Sequence, residues 1–429
     1  MNKINKMNKI YFRNFKGFKN QIIDLCEVNF FVGENSTGKT SLISLITLLS
    51  SPEFWFTTQF NQEEIELGYF EEILTKNSTE KFFQIGTEKV VSDSVKKSSY
   101  TFRILFQFKS EKSIPKIEWI RYSIGDLNVL VKPNSRKTIC SYFNKPIESF
   151  ELWLKEFEKN KAKNILIEIP PIKLPIPILF QIINDTIKKD TQQEIKKIDF
   201  YEGILFPRYT WLAPIRAKAK RIYESYNIKF SPEGDHIPSL LKSLFSQAKN
   251  KHRIKEILEK FGKESNLFDE IEINEFGDKN ISPFEIILKY GNTPIKLPYV
   301  GYGVSQVLPL IIEMLATKKT MFSIQQPEVH LHPKAQSAFG HFLFKTYQNE
   351  ENKFIIETHS DFTINRFRYC LSKNPSRKKS SSQILFFERE SEGNQITTIS
   401  INSDGTYGNE LPDSYRDFFI DEEIKLLEL

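Results

Sequence analysis

The chain has 429 residues, 40% of them hydrophobic and 13% aromatic, enough for about two or three domain-sized units with a sizeable core and too apolar for a disordered chain. Lys and Arg total 60 against 54 Asp and Glu, a mild excess that permits nucleic-acid contact but suits an ordinary solvated surface equally, so charge alone assigns no partner. Cys26, Cys140 and Cys370 are far apart with no paired spacing, which argues against a disulfide framework or a zinc site and fits a reducing cytoplasm. No apolar run approaches the ~20 residues of a membrane span, and the polar start 1–9 lacks the apolar core of a signal peptide, so a soluble, cytoplasmic protein is expected.

Residues 10–18 and 21–25 read as two short strands, an antiparallel pair leading into a third strand at 29–32. That strand feeds Gly33, followed by Glu34, Asn35, Ser36, Thr37, Gly38, Lys39, Thr40 and Ser41, and then by an apolar helical run over 42–49. Gly-x4-Gly-Lys-Thr between a strand and a helix is a phosphate-binding loop. Gly33 and Gly38 let the backbone N–H groups wrap the phosphates, Lys39 brings a point charge to the β and γ oxygens, and the Thr40 hydroxyl can ligate Mg²⁺. The chain is expected to bind a nucleoside triphosphate.

Between about 77 and 295 no nucleotide motif occurs, and Lys-rich amphipathic stretches take over, as in a large insertion. Its first part alternates like strands at 100–108 and 116–122, whereas 150–163 and 237–261 carry helical spacing; the proline-rich stretch 170–177 interrupts any regular element. Apolar strands return at 320–324, 353–356 and 383–387 with helical or loop sequence between them, the rhythm of a parallel sheet with crossover helices. No internal repeat is present, and the low-complexity patch 377–382 reads as a solvated loop. The expected division is 1–76, an N-terminal lobe with the phosphate loop; 77–295, the insertion; and 296–429, a C-terminal lobe.

The Gly-rich turn Gly301, Tyr302, Gly303 opens an apolar helix, which places its N–H groups and the Ser305 hydroxyl at a positive helix terminus, a second anion site. Two such sites far apart in one chain make sense if the second meets nucleotide held by another copy. Further segments stand in a familiar order: 14–18 before the loop, 66–72 after it, 211–216 in the insertion, then 301–306, Gln326-Pro327-Glu328-Val329-His330-Leu331-His332-Pro333, Glu357-Thr358-His359-Ser360, and a tail over 412–419. Over most of its length the chain resembles an ATP-binding-cassette-type ATPase of the RecF, SMC and OLD group, and specifically the compact prokaryotic members with a short tail.

The resemblance implies an α/β fold, an ABC-type P-loop NTPase with a mixed α+β insertion between phosphate loop and signature, using ATP and Mg²⁺. It assigns Gly303, Ser305 and Gln306 to contact with the γ-phosphate held by a partner subunit, hence a head-to-tail ATP sandwich in a homodimer or higher oligomer. His359 matches the switch histidine that senses the γ-phosphate. His330 and His332, two residues apart in a turn, correspond to the D-loop and not to a zinc site. The pattern departs where the second strand of the site should end in an acid followed by a glutamate or a glutamine: here stand Gln325 and Gln326. An amide supplies no negative charge and accepts no proton at neutral pH, so metal affinity and base catalysis should both suffer, and losing a positioned base costs about 10²- to 10⁴-fold in rate. Glu328 and Glu357 are the nearby carboxylates; a structural role at the dimer joint is the reading adopted for them, with Gln325, Gln326, Glu328 and His359 as the catalytic set. Two readings stay open: a slow ATPase whose long-lived ATP-bound dimer is the signal, or glutamine introduced to trap ATP.

The sequence stops soon after the ATPase tail, with no room for a Toprim nuclease module and no nuclease signature elsewhere, so an effector is expected on another chain. By analogy with Septu-type and retron-associated ATPases, the expected role is an ATP-sensing scaffold that holds or licenses a partner nuclease in antiphage defence. The alternatives are a RecF-like repair or chromosome-maintenance ATPase that binds double-stranded DNA directly, and a non-hydrolysing structural module. The cluster Arg216, Lys218, Lys220 and Arg221, with Tyr223 and Tyr226 behind it, is equally readable as a DNA- or partner-contacting face and as a solvated one.

Overall fold

The computed structural model describes residues 8–93, 98–133, 138–156, 161–167, 174–192, 204–224, 229–277, 281–374, 381–408 and 411–419. In chain order come β1 (Asn8–Phe15), β2 (Phe18–Leu25), β3 (Val28–Gly33), α1 (Lys39–Ser50), α2 (Pro52–Thr57), β4 (Asn61–Gln62), β5 (Ile65–Glu66), α3 (Phe70–Ile73), β6 (Phe82–Asp93), β7 (Ser98–Glu111), β8 (Ile114–Ile124), β9 (Leu127–Lys132) and β10 (Thr138–Asn144). Then follow α4 (Phe150–Glu156), β11 (Lys163–Ile167), α5 (Ile176–Thr191), β12 (Tyr209–Leu212), α6 (Ile237–Ser246), α7 (Ala248–Ser265), β13 (Glu270–Glu275), β14 (Phe284–Tyr290) and β15 (Thr293–Lys296). The last are α8 (Tyr302–Ala316), β16 (Met321–Gln325), α9 (Pro333–Glu350), β17 (Lys353–Glu357), α10 (Asp361–Lys373), β18 (Ser382–Glu390) and β19 (Gly393–Ile401). Two compact units interleave along the chain: Met1–Cys26, Asn35–Pro207 and Phe387–Ile396 form the first, and Glu27–Glu34, Arg208–Phe386 and Thr397–Leu429 the second.

The first unit is built on an eight-stranded sheet in the order β11-β10-β9-β8-β7-β6-β1-β2, every pair of neighbours antiparallel. The strict alternation in β7 explains how both faces are covered. Phe102, Ile104, Phe106 and Phe108 are all buried on one side, where the Phe106 ring lies 5.8 Å from Phe54 and 5.9 Å from Trp55 of α2. Leu105 on the other side joins the cluster of Phe150 and Trp153 from α4, and its neighbour Arg103 survives burial by donating to Glu88 at 2.6 Å.

The second unit carries a six-stranded sheet in the order β12-β16-β17-β3-β18-β19, in which β12, β16, β17 and β3 run parallel. These strands are largely apolar, as buried parallel strands are, and the chain crosses from β16 to its parallel neighbour β17 through α9. The register sets the carboxyl ends level: Phe31 of β3 pairs with Glu357 of β17, which pairs with Gln325 of β16. In open parallel sheets ligands bind beyond these ends.

The antiparallel pair β1 and β2, the strands expected at 100–108 and 116–122, and the three returning apolar strands are all present within a few residues of their expected bounds. Three expectations are corrected. Of the helix expected over 150–163, Phe150–Glu156 is helical among the described residues, but Lys163 already begins the edge strand β11 (Lys163–Ile167), because Ile165 and Leu166 pair with Cys140 and Ile139 of β10. The run 237–261 is two helices, broken at Gln247, whose extended backbone (φ −86°, ψ 102°) ends α6 and starts α7. The proline-rich stretch does not exclude a helix: Pro175 caps α5 and Pro177 sits in its first turn, where the missing N–H costs nothing. The start of the chain to residue 7, Tyr226 and residues 377–380 of the low-complexity patch lie outside the described residues.

Replacing Phe106 with Ala should cost about 3–5 kcal/mol, since the site is walled by rings that cannot close the gap. Urea unfolding of the two proteins measures it, and a change within 1 kcal/mol, roughly the value for a surface substitution, would contradict this packing.

Candidate functional site

The phosphate loop leaves the second unit at Gly33, whose φ of 142° only glycine adopts readily, and enters α1 of the first at Lys39. Gly38 caps that helix with φ 97°, and a Cβ there would lie 2.5 Å from the Phe18 ring, so both conformation and space demand glycine. Leu42 N–H donates to the Gly38 carbonyl at 3.0 Å, and Arg389 donates to the Ser36 carbonyl at 3.2 Å, which fastens the loop within the first unit. Asn35, Ser36 and Thr40 are exposed, Ser41 and Gly38 half-buried, and Thr37 and Lys39 buried. The exposed loop backbone at a helix N-terminus is what a phosphate needs.

In the second unit the carboxyl ends of β16 and β17 are joined by one amide. Gln325 Nε2 donates to Glu357 Oε2 at 2.8 Å, and its Oε1 accepts from Trp211 Nε1 of β12 at 2.9 Å. Gln326 turns the chain with φ 44°, held by donation of its N–H to the Glu357 carbonyl at 2.8 Å. Glu328 accepts from the His359 N–H at 2.7 Å and from the Thr358 hydroxyl at 2.8 Å. Burial holds the Glu328 carboxyl above its ordinary value of 4.5, against those hydrogen bonds, which favour the anion. His359 stacks obliquely on Phe418 of the tail, with ring centres 6.2 Å apart.

Arg216 ties these pieces together. Only 3% exposed, it donates to the carbonyls of Pro214 and Gln325 at 2.9 Å each and of Gln326 at 3.4 Å. Burial pushes its guanidinium down to about 10, the Glu328 charge opposing. Its own N–H donates to Gln306 Oε1 of α8 at 3.3 Å. Arg216 is therefore not part of an exposed basic face. Of the rest of that cluster, Lys218, Lys220 and Arg221 are exposed, Arg221 over the Tyr299 ring at 5.4 Å, and Tyr223 is buried.

At the start of α8, a Cβ on Gly303 would lie 2.5 Å from the His330 carbonyl, so this approach of helix to D-loop requires glycine. Tyr302 packs edge-on against His330 at 4.7 Å. Ser305 is buried, its hydroxyl turned back onto the Tyr302 carbonyl at 2.8 Å, and Gln306 is 2% exposed. The exposed residues at this terminus are Gly301 and Tyr302. His332 accepts from Ala335 N–H as the cap of α9, an occupation for that ring other than a metal.

The donor set does not suit an Mg²⁺ ion held by the second unit. The Gln325 amide is committed at both ends and Glu328 is bonded through both oxygens, which leaves Thr40 of the first unit as the hydroxyl suited to a nucleotide-borne ion. Among the described residues no group of three or more His, Cys, Asp or Glu is placed to hold a metal. Sequence reasoning missed Trp211, and it read Arg216 as surface charge; the signal was present in the motif 211–216, but only the fold places β12 beside β16.

A family model for the AAA ATPase domain matches residues 6–364, and the chain belongs to that family. No curated protein matches it. Solved structures similar to it include the Smc head bound to the C-winged helix domain of ScpA, with 10% identity, TM-score 0.44, and coverage of 92% of this chain and 97% of that one. An SMC head domain from Thermotoga maritima has 13% identity and TM-score 0.37, over 91% and 98% of the two chains. The Smc head domain with an extended coiled coil, bound to the C-terminal domain of ScpA derived from Pyrococcus furiosus, has 10% identity and TM-score 0.42, over 98% and 99%. The family and the chain's own topology define the class: α/β, an ABC-type P-loop ATPase fold with a mixed strand-and-helix insertion. Among the described residues no helix is long and apolar enough to cross a membrane.

Because Glu328 binds its proton more tightly when folded, it costs stability as pH rises above about 4.5, and none below. Melting temperatures of wild type and Glu328→Gln should thus be closest near pH 4 and diverge towards pH 7 with the variant gaining; a difference independent of pH would contradict this environment.

Proposed function

We propose that this chain is an ATP-binding switch subunit that holds its nucleotide with little turnover. The observation that carries the reading is the Gln325 amide, bonded to Trp211 and Glu357 where an acidic residue is expected to serve the metal. ATP occupies the loop 33–41, with Lys39 on the β and γ oxygens and a nucleotide-borne Mg²⁺ on Thr40. Glu328 and His359, fixed to one another through the His359 N–H, are the groups nearest in kind to a base and a γ-phosphate sensor. With the base position filled by an amide, the bound state lasts.

In this proposal a second copy meets the nucleotide through the start of α8. The burial of Ser305 and Gln306 supports a direct contact through the exposed backbone at Gly301 and Tyr302, with Ser305 and Gln306 shaping that terminus. The resulting head-to-tail dimer, or a higher oligomer, works inside the cell and regulates a separate nuclease effector in antiphage defence; that role rests on the family resemblance.

The test is the mass of the protein in solution with Mg²⁺ alone and with Mg²⁺-ATP, with phosphate release measured on the same samples. A doubled mass with release far below the median enzyme rate of about 10 s⁻¹ is expected, and brisk release would overturn the reading. Lys39→Ala should weaken ATP binding about 10- to 100-fold, the value of a charge-assisted contact of about 1.5–3 kcal/mol, and abolish the mass change at limiting nucleotide. Unaltered binding would remove Lys39 from the site.

A further inference from the structure

The second unit holds a pocket that the nucleotide reading does not use. The loop after β12 closes on itself, with Ala213 N–H on the Pro232 carbonyl at 3.0 Å and Ala217 N–H on the Glu233 carbonyl at 2.8 Å. It is pinned to β14 by reciprocal backbone bonds between Tyr223 and Phe284 at 2.8 and 3.0 Å. Between this loop and α8 lies a cavity of about 40 Å³, partly open to solvent. The floor is apolar, from Ile237, Ile286, Leu297, Leu308 and Ile312, while Lys218 and Lys220 stand at the mouth.

Dimensions and charge together choose the occupant. A slot this narrow takes one aliphatic side chain, well short of the cofactor-sized molecules that fill most ligand pockets. The same loop leaves Ile215 74% and Ile222 53% exposed, and Tyr299 beside Arg221 is 57% exposed, more apolar surface than one inserted side chain covers. Among the residues that line the pocket, Lys218 and Lys220 outnumber its one acid, Asp235, which lies 3.9 Å from Lys220. A nucleic-acid backbone would satisfy the lysines and leave the apolar floor wet.

We propose that this pocket docks a segment of a partner protein that inserts one Leu- or Ile-sized side chain, with Asp or Glu flanking it to meet Lys218 and Lys220. The anchor would rest on Leu308 and beside Ser305, both on α8, so that the partner reports on the helix whose first turn carries Gly303. The site needs no nucleotide, and its failure leaves the ATP reading untouched.

Selection from a phage-displayed random-peptide library against the full chain without nucleotide tests it. Enriched peptides should share an aliphatic residue flanked by acids, and a fluorescein-labelled example should lose at least about 10-fold in affinity, or about 1.4 kcal/mol, when that residue becomes Ala. The same loss is expected for Ala217→Phe, which fills the slot, and for the doubly exchanged Lys218→Glu, Lys220→Glu protein, whose exposed positions leave folding intact should the first variant fail to fold. Peptides without this pattern, or affinity unchanged in the lysine variant, would overturn the proposal; so would self-association of the chain that Ala217→Phe abolishes, which would assign the pocket to a second copy.

Discussion

A single side-chain amide ties together the strand ends at the candidate site of this ATPase. Gln325 stands where the parallel strands β12, β16 and β17 end side by side, and it presents its oxygen to an indole N–H and its nitrogen to the Glu357 carboxylate. The arrangement is directional: Trp211 can only donate and an ionised Glu357 can only accept, so the group between them must do one of each. A carboxylate at 325 would serve Trp211 equally well but would set two like charges against each other in a buried place, a situation relieved by a proton or a cation. The amide removes that demand for a proton or a cation.

The neighbouring geometry is adjusted to the same point. Arg216 spends its guanidinium on the carbonyls of Pro214, Gln325 and Gln326, holding the left-handed turn at Gln326 that leads the chain away from the strand. Its backbone reaches Gln306 of α8, so the helix start and the strand end share one buried charged residue. Among the described residues, Arg216 Nε and Gln306 Nε2 find no hydrogen-bond partner. Unpaired buried donors cost free energy that a better arrangement would recover.

The parts of the fold readable in the sequence are those with strong local signals. The phosphate loop announces itself because its glycines answer to backbone conformation, as Gly33 and Gly38 do, and the strand rhythm survives because β16, β17 and β3 are mostly apolar, with Phe322 and Ile324, Phe354 to Ile356, and Phe30 to Val32. The insertion was legible where alternation ran long, in β7, and not where packing overrode pattern: β11 carries Lys and Asn at its start and is a strand only because β10 offers it an edge. The interleaving of the two units has no local signature at all, since it depends on residues 27–34 and 387–396 joining partners hundreds of positions away. In the candidate site, motif order pointed to Gln325, Gln326, Glu328 and His359, whereas the hydrogen bonds that hold Gln325, Gln326 and Glu328 run to Trp211, Arg216 and Thr358. Arg216 in particular sits in a run of basic residues that looks solvated, and only burial separates it from its neighbours.

The most direct test of the Gln325 account is thermal unfolding of wild type and Gln325→Glu, without nucleotide, in chelator and in Mg²⁺. The variant should lose about 1–3 kcal/mol in chelator, the cost of an unmet buried polar group, and regain much of it with Mg²⁺, while wild type responds to neither condition. A variant as stable as wild type in chelator, or a wild type that Mg²⁺ alone stabilises, would contradict the claim that the amide stands in place of the metal.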